Sequence, residues 1–291
     1  MTTGTISIVT GRSEFEFMTS VVPVLETTPR GIVALGTAFF VSERGVLVTA
    51  RHVVDGRLDD DVAAGDHLGQ SDHGLFILVP SDVTSEGQRH RASLVVTQVA
   101  LEPQLSDVAI LVVDMDQFPV ATRQHLKPWT LAHFRPIPGE SSWAAGYAGM
   151  VVGETVASGP SAGDIEWHQA LHCEEGPIEE VLPGGRDPVM APHPCFSVST
   201  NTAPGMSGGP VFTSRGIGGV VSLGMSQSEE LPPYSVAALI SSGYHLGVDL
   251  VLDGGRRTYL ITDLIRMGEI GAVGPATAMV VNDGRLEVVW F

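Results

Sequence analysis

Short apolar runs recur along the first 245 residues, and glycine, proline and polar residues separate them. Runs of this length between turn residues favour β-strands over helices. The first group predicts strands at 17–24, 31–41, 45–49, 75–79, 93–100 and 108–113. A second group predicts strands at 141–146, 151–158, 194–199, 209–213, 217–223 and 235–240. Two groups of six short strands indicate two antiparallel barrels or sandwiches.

Three further segments depart from this pattern. Residues 159–193 are rich in glycine, proline and glutamate and predict a long excursion out of a hairpin. Residues 258–271 place apolar side chains at helical intervals, with Gly268 as the stop. Residues 277–282 and 285–290 flank Asn-Asp-Gly, which predicts a terminal hairpin.

The net charge of the chain argues against some classes of binding partner. The 291 residues include 16 Lys plus Arg and 33 Asp plus Glu, a formal net charge of −17. Nucleic acids and anionic membranes require the opposite balance, so neither is an expected partner. The first residues show no secretory pattern and no run is long enough to span a membrane, which favours a cytoplasmic protein. Two cysteines are too few for a disulfide framework.

The clearest chemical motif is Gly-Met-Ser-Gly-Gly-Pro at 205–210. A serine hydroxyl needs a nearby base and an exposed turn to act as a nucleophile. Glycines around Ser207 let the backbone approach a substrate, and the N–H groups of Gly205 and Ser207 then become candidates for binding an oxyanion. A plain glycine-rich loop between strands is the alternative interpretation.

Two other segments supply partners for such a serine. His52 follows Thr-Ala-Arg at the end of a hairpin strand, and an imidazole can accept and return the serine proton near pH 7. Asp107 opens the apolar strand 108–113, so its carboxylate is expected to be partly buried and in need of a partner. An imidazole N–H is a suitable one.

Together these three motifs, in the order His, Asp, Ser, resemble the trypsin-like (chymotrypsin-fold) serine proteases over roughly residues 17–245. The resemblance implies an all-β fold of two six-stranded antiparallel barrels with the site between them. It implies a serine endopeptidase that forms an acyl-enzyme with a His52–Asp107–Ser207 triad, acts on a protein or peptide substrate and needs no cofactor. The implied units are 1–120 with His52 and Asp107, 121–245 with Ser207, and a C-terminal extension 246–291 with one helix and a hairpin.

The resemblance also implies a substrate-binding cleft. Ser222, Leu223 and Gly224 match the strand that pairs with the substrate backbone and walls the specificity pocket. Asn201, six residues before Ser207, matches the pocket floor and has Thr202 beside it. Both are polar and uncharged, so a preference for Arg or Lys is not expected.

Met206 and the residue after His52, Val53, depart from the secreted members of the family. An aspartate usually stands at the position of Met206 and pairs with a newly cut N-terminus, which a thioether cannot do. We therefore expect no activation by N-terminal cleavage. Val53 stands where a disulfide cysteine is usual, and both departures are typical of the bacterial, intracellular-type branch.

Two alternatives to a constitutive protease stay open at this point. One is a binding or regulatory module on a protease fold with little turnover. The other is an enzyme that an activating protein partner switches on. A zinc site is a minor hypothesis, with candidate ligands His168, His172, Cys173, His193 and Cys195.

Overall fold

The N-terminal half forms a closed barrel of six antiparallel strands. The computed structural model describes residues 11–56, 74–83, 89–102, 106–155, 165–225, 233–252, 254–274, 277–282 and 285–290. The barrel closes in the order β1-β2-β3-β6-β5-β4. Its strands are β1 Val21–Thr28, β2 Gly31–Phe40, β3 Val46–Ala50, β4 Leu75–Val83, β5 Arg89–Leu101 and β6 Val108–Val113.

A second closed barrel follows the short strand β7, Leu131–Ala132. Its ring runs β11-β8-β9-β10-β13-β12, and pairing of β11 with β12 closes it. The two-barrel, all-β prediction is therefore confirmed. The strands are β8 Ser141–Thr155, β9 Ile165–Leu182, β10 Cys195–Val198, β11 Pro210–Thr213, β12 Gly216–Met225 and β13 Tyr234–Leu239.

Short helices and three small strand pairings complete the described fold. The α-helices are α1 Glu14–Ser20, α2 Arg51–Val54, α3 Val120–Arg123 and α4 Ile261–Arg266, and 3₁₀ turns lie at Met115–Gln117 and Ile240–Gly243. Strand β16, Ala272–Val273, pairs in parallel with β7. The two hairpins are β14 Gly247–Leu252 with β15 Gly255–Leu260, and β17 Thr277–Asn282 with β18 Arg285–Trp290.

The predicted first strand, 17–24, is wrong in its first half. Residues 17–20 belong to helix α1, and strand β1 begins only at Val21. The reason is a capping box: the Ser13 side chain accepts from the Glu16 N–H, and the Glu16 carboxylate accepts from the Ser13 N–H. This helix start turns Phe17 into the core, where it is fully buried.

The excursion predicted at 159–193 is also wrong for about half of its length, and its residues 159–164 lie outside the described part of the chain. Strand β9 occupies Ile165–Leu182 and pairs with both β8 and β10. Gly176 lies inside this strand because the Ser199 carbonyl oxygen approaches it so closely that a Cβ would lie 2.0 Å away. The glycine that suggested a loop therefore marks a close contact between backbones.

The C-terminal extension is more strand-rich than predicted. Residues 258–260 belong to β15, so the helix predicted over 258–271 is restricted to Ile261–Arg266. Pairing with β14, which the sequence analysis missed, holds these three residues extended. Gly268 has φ +79° just after the helix, as its predicted stop requires. The hairpin strands 277–282 and 285–290 are confirmed.

Buried side chains join the two barrels into one core. Tyr147 on β8 is fully buried, and its hydroxyl donates to the Val21 carbonyl oxygen on β1 at 3.0 Å. Gln98 on β5 exchanges two hydrogen bonds with the Asp249 backbone on β14, each 2.9 Å long, which ties the extension to the first barrel. The domain boundaries at 120 and 245 stay a prediction.

Candidate active site

His52 lies on the single-turn helix that directly follows strand β3. The backbone around it is held by the Asp107 segment: the Arg51 N–H donates to the Asp107 carbonyl oxygen at 2.9 Å. The His52 N–H donates to Asp107 Oδ1 at 3.1 Å. The His52 side chain keeps 41% of its surface exposed. One edge of the imidazole is therefore anchored while the ring stays accessible.

Asp107 is buried, with 3% of its surface exposed, and receives hydrogen bonds from both barrels. His52 Nδ1 lies 2.9 Å from Oδ2, and the Ser222 hydroxyl donates to the same oxygen at 2.5 Å. Burial by itself would raise the pKa of this carboxyl, but the hydrogen bonds from His52 and Ser222 and the charge of His52 outweigh it. The pKa of Asp107 is lowered, so the group is a carboxylate near neutral pH.

A chain of buried hydroxyls fixes the backbone beside Asp107. Ser106 Oγ accepts from the Val108 N–H at 3.0 Å and lies 2.7 Å from Ser242 Oγ. Ser242 Oγ donates to the Leu239 carbonyl oxygen at 2.7 Å, so Ser106 must be the donor between the two serines. This chain links the Asp107 segment to the end of strand β13.

Thr37 on strand β2 holds the loop that carries Ser207. Its N–H donates to the Ser207 carbonyl oxygen at 2.8 Å, and its hydroxyl donates to the Gly205 carbonyl oxygen at 2.9 Å. The same hydroxyl accepts from the Tyr147 N–H at 2.9 Å. One fully buried threonine of the first barrel therefore positions a loop of the second.

Three N–H groups of this loop are paired, and two are not. Those of Met206, Gly208 and Gly209 donate to backbone carbonyl oxygens. Those of Gly205 and Ser207 have no acceptor within the described part of the chain. Gly205 has φ +96°, a left-handed conformation that favours glycine. Two unpaired donors thus flank Met206, as binding of an oxyanion would require.

Close approach of glycines brings the Ser207 loop against the His52 segment. A Cβ on Gly208 would lie 2.1 Å from the Thr37 carbonyl oxygen and 3.0 Å from the Ala50 nitrogen. A Cβ on Gly36 would meet both the Ser207 carbonyl oxygen and the Val53 side chain. The fold thus brings all three predicted residues to one junction of the barrels. Within the described residues, the Ser207 hydroxyl has no hydrogen bond.

Thr202, one of the residues predicted for the specificity pocket, is held in close contact with two neighbours. Its side chain is 9% exposed, and its hydroxyl lies 2.7 Å from Ser235 Oγ. The Thr202 hydroxyl would lie 2.6 Å from a Cβ on Gly224, so this glycine keeps the two segments in close contact. Leu223 is half-buried against the second barrel. Asn201 is exposed, so Thr202 is the better placed of the two polar residues to line a pocket.

A sequence model described as "Trypsin-like peptidase domain" matches residues 36–221. The chain belongs to the trypsin-like peptidase family. No curated protein matches it.

Two solved structures are similar to this trypsin-like peptidase. One is the thermostable serine protease AL20 from an extremophilic microorganism, with 19% identity, TM-score 0.46, and coverage of 78% of this chain and 94% of that chain. The other is neuropsin, a serine protease expressed in the limbic system of mouse brain, with 14% identity, TM-score 0.47, and coverage of 78% and 91%.

Met206 is completely buried in this trypsin-like peptidase. Its sulfur accepts from the Ala203 N–H at 3.3 Å. A Cβ on Gly146 would lie 2.8 Å from the Met206 Cα, so the loop packs tightly on strand β8. The thioether therefore fills its site through packing and a weak hydrogen bond.

His193 is a neighbour of the site that the sequence analysis placed only among zinc candidates. It is 6% exposed, and its Nε2 has no hydrogen-bond partner among the described residues. Burial lowers the pKa of His193; the charge of Asp107 opposes this, while those of Arg51 and His52 add to it. The imidazole is therefore neutral near pH 7. Only the tertiary fold, which brings residue 193 near 107, identifies this neighbour.

The other zinc candidates are His168, His172, Cys173 and Cys195. Cys173 and Cys195 are buried free thiols, and burial raises the pKa of each to about 11. Over the residues with described positions, no three His, Cys, Asp or Glu side chains are grouped to hold a metal ion. None of the described helices is long and apolar enough to cross a membrane.

Proposed function

We propose that this trypsin-like peptidase is a serine endopeptidase in which Ser207 is the nucleophile, His52 the general base and acid, and Asp107 the group that orients His52. The observation that carries the proposal is the buried Asp107 carboxylate, which lies 2.9 Å from His52 Nδ1 and receives the Ser222 hydroxyl. A carboxylate only accepts hydrogen bonds, so Nδ1 carries the proton and Nε2 is the basic nitrogen.

The chemistry follows from that tautomer. Nε2 takes the Ser207 hydroxyl proton as the oxygen attacks the scissile carbonyl carbon, which forms a tetrahedral oxyanion. Collapse of this intermediate breaks the C–N bond, and the imidazolium returns the proton to the leaving amine. An acyl-enzyme ester remains on Ser207. Water then hydrolyses the ester by the same steps, and Ser207 regains its proton.

The unpaired N–H groups of Gly205 and Ser207 support this assignment as oxyanion donors. A donor of this kind contributes about 3 kcal/mol to transition-state stabilisation in enzymes where it has been removed. Because Thr37 already holds the carbonyl groups of Gly205 and Ser207, little reorganisation is needed when the oxyanion forms.

The specificity pocket is proposed to be polar and uncharged, with Thr202 and Ser235 on one wall and Ser222 to Gly224 on the other. Asn201 is proposed to lie at its solvent-facing rim. No carboxylate is assigned to this pocket, so cleavage after Arg or Lys is not expected. Relation to the bacterial branch and a cytoplasmic location remain predictions.

Activation by N-terminal cleavage is not part of this proposal. Met206 is completely buried and makes its contact with the Ala203 N–H, so an incoming ammonium group would find no carboxylate there. The uncut chain is proposed to be competent by itself. Dependence on an activating protein partner would appear as inactivity of the uncut, purified chain.

Labelling with a fluorophosphonate tests the proposal, since this probe reacts only with an activated serine. The uncut chain should be labelled. Ser207→Ala should not be labelled, and His52→Ala should be labelled at least about a thousandfold more slowly. Ser214→Ala, which removes an exposed serine of the same barrel, is the matched control and should be labelled normally. A folded chain that resists labelling under all conditions would favour the binding-module alternative.

A further inference from the structure

The guanidinium of Arg12 lies over the ring of Trp129, in the segment that joins the two barrels. Its Cζ is 3.4 Å from the ring centroid. Nη2 donates to the Pro128 carbonyl oxygen at 3.1 Å, and Nη1 donates to the Lys127 carbonyl oxygen and to Ser20 Oγ. Burial lowers the pKa of Arg12 to about 10, so the group is still a cation near neutral pH. A charge held by three oxygens and an aromatic face fixes the position of that ring.

The N-terminal segment, residues 12–20, has a second link to the linker, residues 125–129. The Glu16 carboxylate forms an ion pair with the Lys127 ammonium. The Lys127 side chain is 53% exposed, so this ion pair contributes little by itself. The partly buried contacts of Arg12 are therefore the stronger connection between the two segments.

Trp129 packs in a cluster of three buried aromatic rings. The Phe17 and Phe212 centroids lie 5.5 Å and 4.8 Å from that of Trp129, and 6.0 Å from each other. Each of the three residues is at most 7% exposed. Phe17 belongs to the N-terminal segment, and Phe212 belongs to strand β11, which begins three residues after Ser207. The cluster thus connects the N-terminal segment with the strand that follows the proposed nucleophile.

The backbone of Trp129 contacts a second strand that holds the Ser207 loop. Its N–H donates to the carbonyl oxygen of Phe40, the last residue of strand β2, at 2.8 Å. Strand β2 also carries Thr37, which donates to the carbonyl oxygens of Gly205 and Ser207. Trp129 therefore contacts both strands on which the position of this loop depends. A shift of Trp129 would act on the proposed oxyanion donors through both.

We propose that Arg12 is a positioning residue for the proposed reaction: by fixing Trp129, it keeps β2 and β11 in the arrangement in which the N–H groups of the Ser207 loop bind an oxyanion. The inference rests on the proposed function and adds an internal device that keeps the uncut chain active. Coupling between distant groups is typically worth about 5-fold to 150-fold. We expect loss of the guanidinium to slow the chemistry about tenfold.

Arg12→Met removes the charge and the donors but keeps an unbranched side chain that can lie on the ring. Fluorophosphonate labelling should slow about tenfold, and turnover of an ester substrate should show a lower kcat with little change in KM. Arg12→Lys keeps a charge over the ring and should recover most of the rate. Arg30→Met makes the same exchange at an exposed arginine in the turn between β1 and β2, and this matched control should behave like the wild type.

A double-mutant cycle tests whether Arg12 acts through Trp129. Trp129→Phe keeps an aromatic ring but gives the guanidinium a smaller face to cover. In that background, Arg12→Met should slow labelling by clearly less than tenfold, because the two residues act as one unit. Full additivity of the two effects would overturn the proposed route through Trp129.

Urea denaturation of each variant establishes that labelling is measured on folded protein. Where Arg12→Met is too unstable, Arg12→Gln, which keeps one donor group, gives the same comparison. A folded variant that is less stable but is labelled at the wild-type rate would overturn the inference, since Arg12 would then only stabilise the fold. A higher KM with unchanged kcat would also overturn it. Absence of labelling in the wild type would instead refute the proposed function.

Discussion

Thr37→Val isolates the contribution of the hydroxyl that joins the barrels at the candidate active site. Valine keeps the branched shape but removes the donor to the Gly205 carbonyl oxygen and the acceptor for the Tyr147 N–H. The hydrogen bond from the Tyr147 N–H to this hydroxyl is buried, whereas the one from the hydroxyl to the Gly205 carbonyl oxygen is only partly buried. A buried polar group left without a partner costs about 1–3 kcal/mol. We expect the free energy of unfolding to fall by about 2–4 kcal/mol.

The same change should slow the chemistry. Loss of an oxyanion donor costs about a hundredfold to a thousandfold in rate, and Thr37→Val loosens the two N–H groups without removing either. We therefore expect fluorophosphonate labelling to slow by about tenfold or more. Since domains have about 5–15 kcal/mol of stability, the variant should still fold.

Urea denaturation and the labelling rate, measured on the same preparations, test both parts. Thr37→Ser is the matched control, because it keeps the hydroxyl and loses one methyl group, which costs about 1 kcal/mol. Its labelling rate should stay near that of the wild type. A Thr37→Val protein within about 0.5 kcal/mol of the wild type, and equally reactive, would refute the reasoning.

Gly208→Ala and His193→Phe test other parts of the site, and Gly268→Ala is the control for the first. Gly208→Ala should cost at least about 3 kcal/mol in urea denaturation, because the new Cβ would lie 2.1 Å from the Thr37 carbonyl oxygen at φ +85°. Gly268 has a similar φ, +79°, but a Cβ there would have no atom within 4 Å, so Gly268→Ala should cost only about 1–2 kcal/mol. Equal losses of stability in the two alanine variants would contradict the steric argument. The pKa of His193 is lowered in the folded state, so the unfolded chain binds its proton more tightly and acid destabilises the fold. His193→Phe removes this group and should reduce the loss of stability on acidification. The wild type should therefore lose stability relative to this variant as pH falls below 6.5, by at most about 1.4 kcal/mol per pH unit. The same difference in unfolding free energy between the two proteins at pH 8 and at pH 5, measured by urea denaturation, would contradict this prediction.

Much of the fold was predictable from local patterns. Eleven of the twelve barrel strands lie where apolar runs suggested, although two of the predicted runs, 141–146 and 151–158, form the single strand β8. Strand β9 was missed because Gly176 and Pro177 are turn residues by composition, and only the approach of Ser199 explains that glycine. Helix α1 was missed because the capping box at Ser13 and Glu16 outweighs the strand preference of the residues after it.

The candidate site also has a part that could be predicted from sequence and a part that could not. His52, Asp107 and Ser207 could be named from sequence because each lies in a short motif whose residue types its proposed chemistry requires. Their supporting contacts could not be named. The Ser222–Asp107 hydrogen bond joins residues 115 positions apart, and that between Ser106 and Ser242 joins residues 136 apart.

The sequence by itself determined the strand pattern, the three motifs and the uncharged character of the proposed pocket, since all of these depend on residues close together in the chain. Only the tertiary structure decided which hydroxyl holds the Gly205 loop, which N–H groups stay unpaired and where His193 lies. Serines and threonines are common and fit many environments, so their identity carries little positional information. Closure of the two barrels selects, from many such residues, the few that become buried partners of the site.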